Sequence, residues 1–248
     1  MNSTKTIGVF SLGGGLRGCF CQGFLKGLRD SDIVVDKYVG ASAGFFASFT
    51  DIAEINTREH IKKIDGNPAY FKNKIYFIEK FLDTFVPSVI ENSKYTEQQL
   101  LEKANSKLSC VALENLTGEP IHKVFNKFCS IEDIKQAQRL TGSLPGTIKN
   151  FPAQNENTRY YDGVLRLKRP ERFLNTDIKI IVDPTPLFQI SEAITNPEKN
   201  LYIFKNYYGD FLKRLKTIFY GRPSEYLKMW DCGYGFGLEC VNILKNDM

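Results

Sequence analysis

Apolar residues fall in short runs broken by glycine and polar turns, and two periodicities alternate over the first fifty positions. Thr6 to Leu12 (TIGVFSL) is a β-prone run that stops at Gly13-Gly14-Gly15. From Arg17 to Arg29 the period changes, with Phe20, Phe24, Leu25 and Leu28 at helical spacing. Ile33 to Val35 and Tyr38 to Ala41 read as short strands, and Ala43 to Ala53 as a helix. This β-turn-α-β-turn-α order predicts an α/β fold with a parallel sheet and crossover helices.

Residues 54 to about 103 are charged and lack strand alternation, which predicts helices and loops inserted between strands. Leu108 to Leu113 and Pro120 to Phe128 flank a polar turn and read as strand-turn-strand. Ile131 to Leu140 is helix-like, with Ser130 as N-cap and Asp133 at the N3 position, and Pro145-Gly146 ends that segment. Ile178 to Val182 and Leu201 to Phe204 are further strands. Gly233-Tyr234-Gly235-Phe236-Gly237 reads as a flexible turn. With no internal repeat and no linker, residues 1–248 are expected to form one domain.

Composition narrows the class. The 248 residues are 42% hydrophobic and 25% charged, which argues against disorder, collagen or a coiled coil. No apolar run approaches the roughly 18 residues of a membrane span, and the N-terminal stretch lacks the pattern of a secretory signal. A cytoplasmic location, with peripheral membrane contact, is the expectation. The net charge of +5 suits an anionic membrane surface or nucleic acid and compels neither. Cys19, Cys21, Cys110, Cys129, Cys232 and Cys240 match no disulfide or zinc spacing and read as free thiols. His60 and His122 are the only histidines, so a zinc site is not expected.

Two turns carry candidate chemistry. Gly13-Gly14-Gly15-Leu16-Arg17-Gly18 joins a strand to a helix, where backbone N–H groups and the helix dipole suit an anion. GGGLRG satisfies the dinucleotide pattern G-x-G-x-x-G, and Asp36, 18 residues beyond Gly18, lies near where a ribose-binding carboxylate would be wanted. The same N–H groups would equally suit the oxyanion of acyl transfer. Gly40-Ala41-Ser42-Ala43-Gly44 matches G-x-S-x-G, again between strand and helix. There a strained turn projects the serine hydroxyl outward, and the Ala43 N–H can assist an oxyanion. Both turns are expected at the carboxyl ends of parallel strands, where open α/β sheets place ligands.

A serine nucleophile needs a base. A triad would have to use His60 or His122 with an acid such as Asp51 or Asp83. Asp162, in Tyr160-Tyr161-Asp162-Gly163 after a β-run, is the other candidate, although an Asp-Gly pair is also an ordinary turn.

In this combination the chain resembles the patatin-like phospholipases. Their motifs appear here as GGGLRG (13–18), GASAG (40–44) and DGV (162–164), with NLTGEPI (115–121) and AQRLTGSLP (137–145) in order between the last two. The likeness covers roughly residues 6–165. It implies a three-layer α/β/α fold with a mostly parallel sheet and a Ser42–Asp162 catalytic dyad without histidine. It also implies an oxyanion hole from the N–H groups of Gly14, Gly15 and Leu16, within the Gly13–Gly18 loop braced by Arg17. Gly40, Ala43 and Gly44 would form the nucleophile elbow. The implied activity is hydrolysis of phospholipid or other glycerolipid esters at a membrane or micelle surface. No metal or cofactor is implied, and a calcium requirement or a protein activator is left open.

The chain departs from the family pattern at Val164, which stands where a small residue is usual, and in LRLKRP, which lacks the family's Asn-x-Pro. A non-catalytic or partner-activated binding protein is therefore the rival expectation, and a dinucleotide-dependent oxidoreductase a remoter one. For membrane contact, residues 206–220 place apolar side chains at helical spacing beside Lys213, Arg214 and Lys216. Arg166, Lys168, Arg169 and Arg172 form a basic stretch. Packing on the core and plain solvation are the respective alternatives.

Overall fold

β1 (Ile7–Ser11) stands at the centre of a six-stranded sheet, hydrogen-bonded to β2 (Lys37–Gly40) on one side and β7 (Ile178–Asp183) on the other. The computed structural model describes residues 5–65, 77–185, 196–207 and 222–247, with positions 212, 214, 217 and 218. The strand order is β4-β3-β2-β1-β7-β8, with β3 (Leu108–Leu113), β4 (His122–Phe125) and β8 (Leu201–Lys205) completing it. All neighbours are parallel except β4, which runs antiparallel to β3. The chain winds from β1 outward through β2 and β3, then crosses back to β7. The topological switch point, where such sheets place ligands, thus lies at the carboxyl ends of β1 and β7.

Alternation assigns the faces. Val9, Tyr38, Cys110, Ala112, Ile180 and Val182 point into a large core shared with the helices. These are α1 (Cys19–Asp30), α2 (Ala43–Ile52), α4 (Phe77–Asn92), α5 (Glu97–Lys107), α6 (Ile131–Thr141) and α7 (Pro223–Asp247); α3 (Thr57–Asp65) packs on α7. Phe10, Val39, Val111 and Ile181, one position out of phase, point to the other face. There they meet Val164, Leu167, Phe173 and Leu174. A methyl on Gly8 would stand 2.4 Å from the Thr176 hydroxyl, which shows how closely that segment lies on the sheet.

The α/β architecture with a mostly parallel sheet is therefore as the periodicity predicts, and most elements fall within a residue or two of their expected bounds. Ser130 caps α6 as expected: its hydroxyl accepts from the Asp133 N–H at 3.2 Å, and the Asp133 carboxylate answers in a capping box. The antiparallel pair β5 (Ala153–Asn155) and β6 (Thr158–Tyr160) is an addition to the predicted elements.

Two expectations are corrected. Ile33–Val35 is not a strand: the Ile33 N–H donates back to Leu28 O at 3.1 Å, closing the end of α1, and Val34 is 65% exposed. Residues 233–237 are not a turn but the middle of α7. Their glycines admit a close helix crossing. A methyl on Gly233 would come within 2.1 Å of Phe20 O, and one on Gly237 within 2.4 Å of Phe24 O. From the other side, methyls on Gly23 and Gly27 would strike Trp230 O and Tyr234 O. Repeats of small residues at i and i+4 on both helices thus bring α1 and α7 together backbone to backbone.

Among the described residues no helix is long and apolar enough to cross a membrane. Cys19, Cys21, Cys110 and Cys240 are buried free thiols, and Cys129 is exposed. Most of residues 206–220 lies outside the described residues. Leu212 is exposed, whereas Thr217 and Ile218 are buried, with the Ile218 carbonyl against Gly15. Arg166, Lys168, Arg169 and Arg172 are all exposed.

Candidate active site

Parallel pairing of β1 with β2 aligns the two predicted turns. Ser11 pairs with Gly40, and the Ala41 N–H donates to Ser11 O at 3.1 Å, so both chains leave the sheet at one level. The next residues collide unless small. A methyl on Gly44 would lie 2.0 Å from Ser11 O, and one on Gly13 would lie 2.5 Å from Ser42 Cβ and 3.1 Å from Ser42 Oγ. The glycine turn and the serine turn are one site.

Ser42 sits at φ 54°, ψ −131°, in the left-handed half of the map where a non-glycine residue is strained. Such a conformation costs on the order of 1–3 kcal/mol and persists only where surroundings over-determine it. Ser42 is also the N-cap of α2, a position where serine ordinarily bonds a first-turn N–H with its own hydroxyl; here the side chain makes no capping bond. The hydroxyl is instead free to face Asp162, whose pKa it helps to lower.

Asp162 reaches Ser42 from the β3 side. Tyr161 exchanges backbone hydrogen bonds with Leu113, at 2.8 and 3.1 Å, so the chain arrives at the carboxyl end of β3, next to β2. A methyl on Gly163 would stand 2.0 Å from Val111 O, which leaves room only for glycine after the aspartate. Asp162 is 1% exposed. Burial pushes its pKa up from 3.8 to about 6, against the pull of the Val164 N–H, which donates to Oδ1 at 3.0 Å, and of the Ser42 hydroxyl. A carboxyl so placed is ionised at neutral pH yet far more basic than an exposed aspartate.

The glycine turn continues into a short 3-10 turn, Gly15–Gly18, with Gly15 at φ 55°. Among the described residues, no acceptor meets the N–H groups of Gly13, Gly14, Gly15 or Leu16. Gly18 lies against Ala43. Arg17 points away from the serine into the protein and is fully buried. Its Nε donates to Pro184 O at 2.8 Å, Nη1 to Thr217 Oγ1 at 2.8 Å and Nη2 to Asn206 O at 3.3 Å. It thus ties the glycine turn to the chain leaving β7 and to two later segments.

The other candidates have surroundings of their own. His122 on β4 is half-buried, with Nε2 3.1 Å from Leu165 O and its ring edge-on to Phe173; burial lowers its pKa. His60 on α3 lines a small cavity with Phe46, Ile55 and Phe85. Asp51 is committed to Tyr38 and Arg29, at 2.8 Å each. Asp83 is exposed on α4. Asp36 precedes β2, and its carboxylate accepts from the Ile7 N–H at 2.8 Å. It is therefore at the opposite end of the sheet from the glycine turn, which corrects its dinucleotide-binding role: a ribose carboxylate belongs after the strand, not before it. Among the described residues no cluster of His, Cys, Asp and Glu could hold a metal ion.

One buried carboxyl escaped the motifs, and one quoted motif block has a role that sequence reasoning did not give it. Asp183, at the end of β7, is a second buried carboxyl raised by burial to about 6, accepting from the Thr185 N–H at 2.9 Å. Gln138 and Thr141, buried on the last turn of α6, both bond the Ser42 backbone. Both lie in the AQRLTGSLP block (137–145), which marked the segment in sequence but not its contacts with Ser42.

No family model and no curated protein matches the chain. Similar solved structures include the type III effector ExoU, with 13% identity and a TM-score of 0.44 over 95% of this chain and 53% of that one. The ExoU–SpcU heterodimer from the type III secretion system of Pseudomonas aeruginosa gives 13% and 0.41, over 95% and 51%. VipD from Legionella pneumophila gives 11% and 0.37, over 91% and 67%. The chain spans about half the length of the ExoU chains. Likeness of this degree assigns neither family nor activity.

Proposed function

We propose that the chain is a serine acyl hydrolase of patatin-like type, acting on carboxylic esters of phospholipids or other glycerolipids through an acyl-Ser42 intermediate. The observation that carries this is the pairing of a strained serine, whose hydroxyl performs no capping, with a buried carboxyl of raised basicity. The motif resemblance supplies the substrate class.

Asp162 as carboxylate accepts the Ser42 hydroxyl proton while Oγ bonds to the ester carbonyl carbon. The carbonyl electron pair moves onto oxygen, and that oxyanion accepts from the N–H groups of Gly14, Gly15 and Leu16, with Ala43 at the start of α2. Donors of this kind are typically worth about 3–4 kcal/mol each when removed. Collapse breaks the ester C–O bond, and the proton on Asp162 passes to the leaving alcohol oxygen. Asp162 then takes a proton from water as the water oxygen attacks the acyl carbon. Collapse of that second intermediate returns the proton to Ser42 and releases the carboxylic acid. The substrate is met at a membrane or micelle surface.

The test is labelling with a fluorophosphonate ester and mass spectrometry of the modified peptide, with Ser42→Ala as control. A single adduct on Ser42, abolished in the variant, is the expected result. Folded wild-type protein that forms no adduct would overturn the proposal in favour of a non-catalytic or partner-activated binding protein.

A further inference from the structure

We infer, on the footing of Ser42 as nucleophile and Asp162 as base, that the end of α6 is a positioning device for both, and that Thr141 and Gln138 set the rate of acylation without touching substrate. Four hydrogen bonds join residues 138–143 to Ser42, Asp162 and Gly163. The Ser42 N–H donates to Thr141 Oγ1 at 2.8 Å, and Gln138 Nε2 donates to Ser42 O at 3.1 Å. The Gly163 N–H donates to Thr141 O at 2.9 Å, and the Asp162 N–H donates to Ser143 O at 2.9 Å. Thr141 therefore holds the serine through its side chain and the residue after the aspartate through its main chain.

The hydroxyl of Thr141 has a fixed orientation. Its single proton goes to Val111 O on β3, so its lone pairs face the Ser42 N–H. Fully buried, it anchors the peptide before the strained Ser42 to a central strand. Gln138, 5% exposed, anchors the peptide after it. Clamping both peptides from one helical turn is what over-determination of a strained residue requires. The same turn fixes the height of Asp162, so the separation of hydroxyl and carboxyl is set by one rigid piece. Capping by Ser130 and Asp133 holds the other end of that helix.

Small errors in such a separation are costly, because proton transfer and attack both need near-contact geometry. A side chain that merely stabilised the fold would lower melting temperature and leave kcat of the folded fraction intact. A positioning residue lowers kcat and leaves KM nearly unchanged.

The experiment compares wild type with Thr141→Val, Thr141→Ser, Gln138→Met and Ser42→Ala. Each is measured for the second-order rate of fluorophosphonate labelling and for kcat and KM on a soluble short-chain fatty acyl ester, at temperatures where circular dichroism shows it folded. Thr141→Val, isosteric but without the hydroxyl, is expected to lose 30-fold or more in labelling rate and kcat with KM within threefold. Thr141→Ser, which keeps the hydroxyl, is expected to stay within fivefold of wild type, and Gln138→Met to lose about tenfold. Folded Thr141→Val within twofold of wild type overturns the inference, and if that variant does not fold, Gln138→Met within twofold does so instead. In either case loss of labelling in Ser42→Ala leaves the proposed activity standing. Wild-type protein without labelling, or Ser42→Ala with undiminished labelling, overturns both.

Discussion

Gly13 and Ser42 lie on turns that follow different strands, yet a methyl on the first would stand 2.5 Å from Cβ of the second. The two turns are therefore fitted to one another rather than merely adjacent. Gly13→Ala must push against the serine Cβ and against Val164, whose Cγ1 would be 3.0 Å away. Overpacking of this kind costs about 1–3 kcal/mol, and here the strain falls on the candidate nucleophile. The expected outcome is a folded protein with fluorophosphonate labelling slowed a hundredfold or more. Labelling within threefold of wild type would show that the turn adjusts freely.

The pH profile should report Asp162. With its pKa at about 6, the proposed base is protonated in acid, so kcat/KM should rise with unit slope and level off above a midpoint near pH 6. A profile flat from pH 5 to 8 would remove Asp162 as the base.

The same burial makes a stability prediction of opposite sense. The folded protein holds the Asp162 proton more tightly than the unfolded chain does, so this group's contribution is fully present below pH 3.8 and is lost as pH rises through about 6. Ionisation of Asp162 then costs on the order of 3 kcal/mol in the folded state. Asp162→Asn removes that cost while keeping an acceptor for the Val164 N–H. It should abolish hydrolysis and raise the melting temperature at pH 8, with the gain shrinking toward pH 4. Thermal scans at both pH values check it, and a lower melting temperature at pH 8 would contradict it.

Arg17 links the glycine turn to Pro184, Asn206 and Thr217. Truncation leaves buried acceptors without donors, and Arg17→Ala should cost about 1–3 kcal/mol for each acceptor left bare. Arg17→Lys keeps the charge but not the planar fork, and should recover only part of it. Urea denaturation of the three proteins measures the differences; equal midpoints would show that Arg17 braces nothing.

The α1–α7 crossing separates two glycines of one helix. Gly233 faces the Phe20 carbonyl, whereas a methyl on Gly235 meets nothing within 4 Å. Gly235→Ala should stabilise by about 0.5–1 kcal/mol through helix propensity alone. Gly233→Ala should destabilise, because the helices must part. Melting temperatures moving in the same direction would refute the close crossing.

Much of this protein was determined by the sequence itself, because local physics is enough for it. Alternation and 3.6-residue spacing marked β1, α1, α2, β3 and α6; the Ser130–Asp133 pattern marked a helix start; and tight turns demanded glycine at Gly13 and Gly44. Ser42 and the glycine turn were nameable as candidates from motifs of this kind, whereas Asp162 was singled out by the family resemblance. Tertiary structure alone decided what depends on residues far apart in the chain. Ile33–Val35 looks β-prone but is spent closing α1, and Gly233–Gly237 looks like a turn but serves a helix contact with Gly23 and Gly27 about 210 residues away. Asp162 was brought to the Ser42 side of the sheet by strand order rather than by local pattern. Thr141 reaches Ser42 across 99 residues. Hydrogen bonds between segments so distant leave no periodicity in sequence, since their geometry exists only once the sheet has set the positions of both ends.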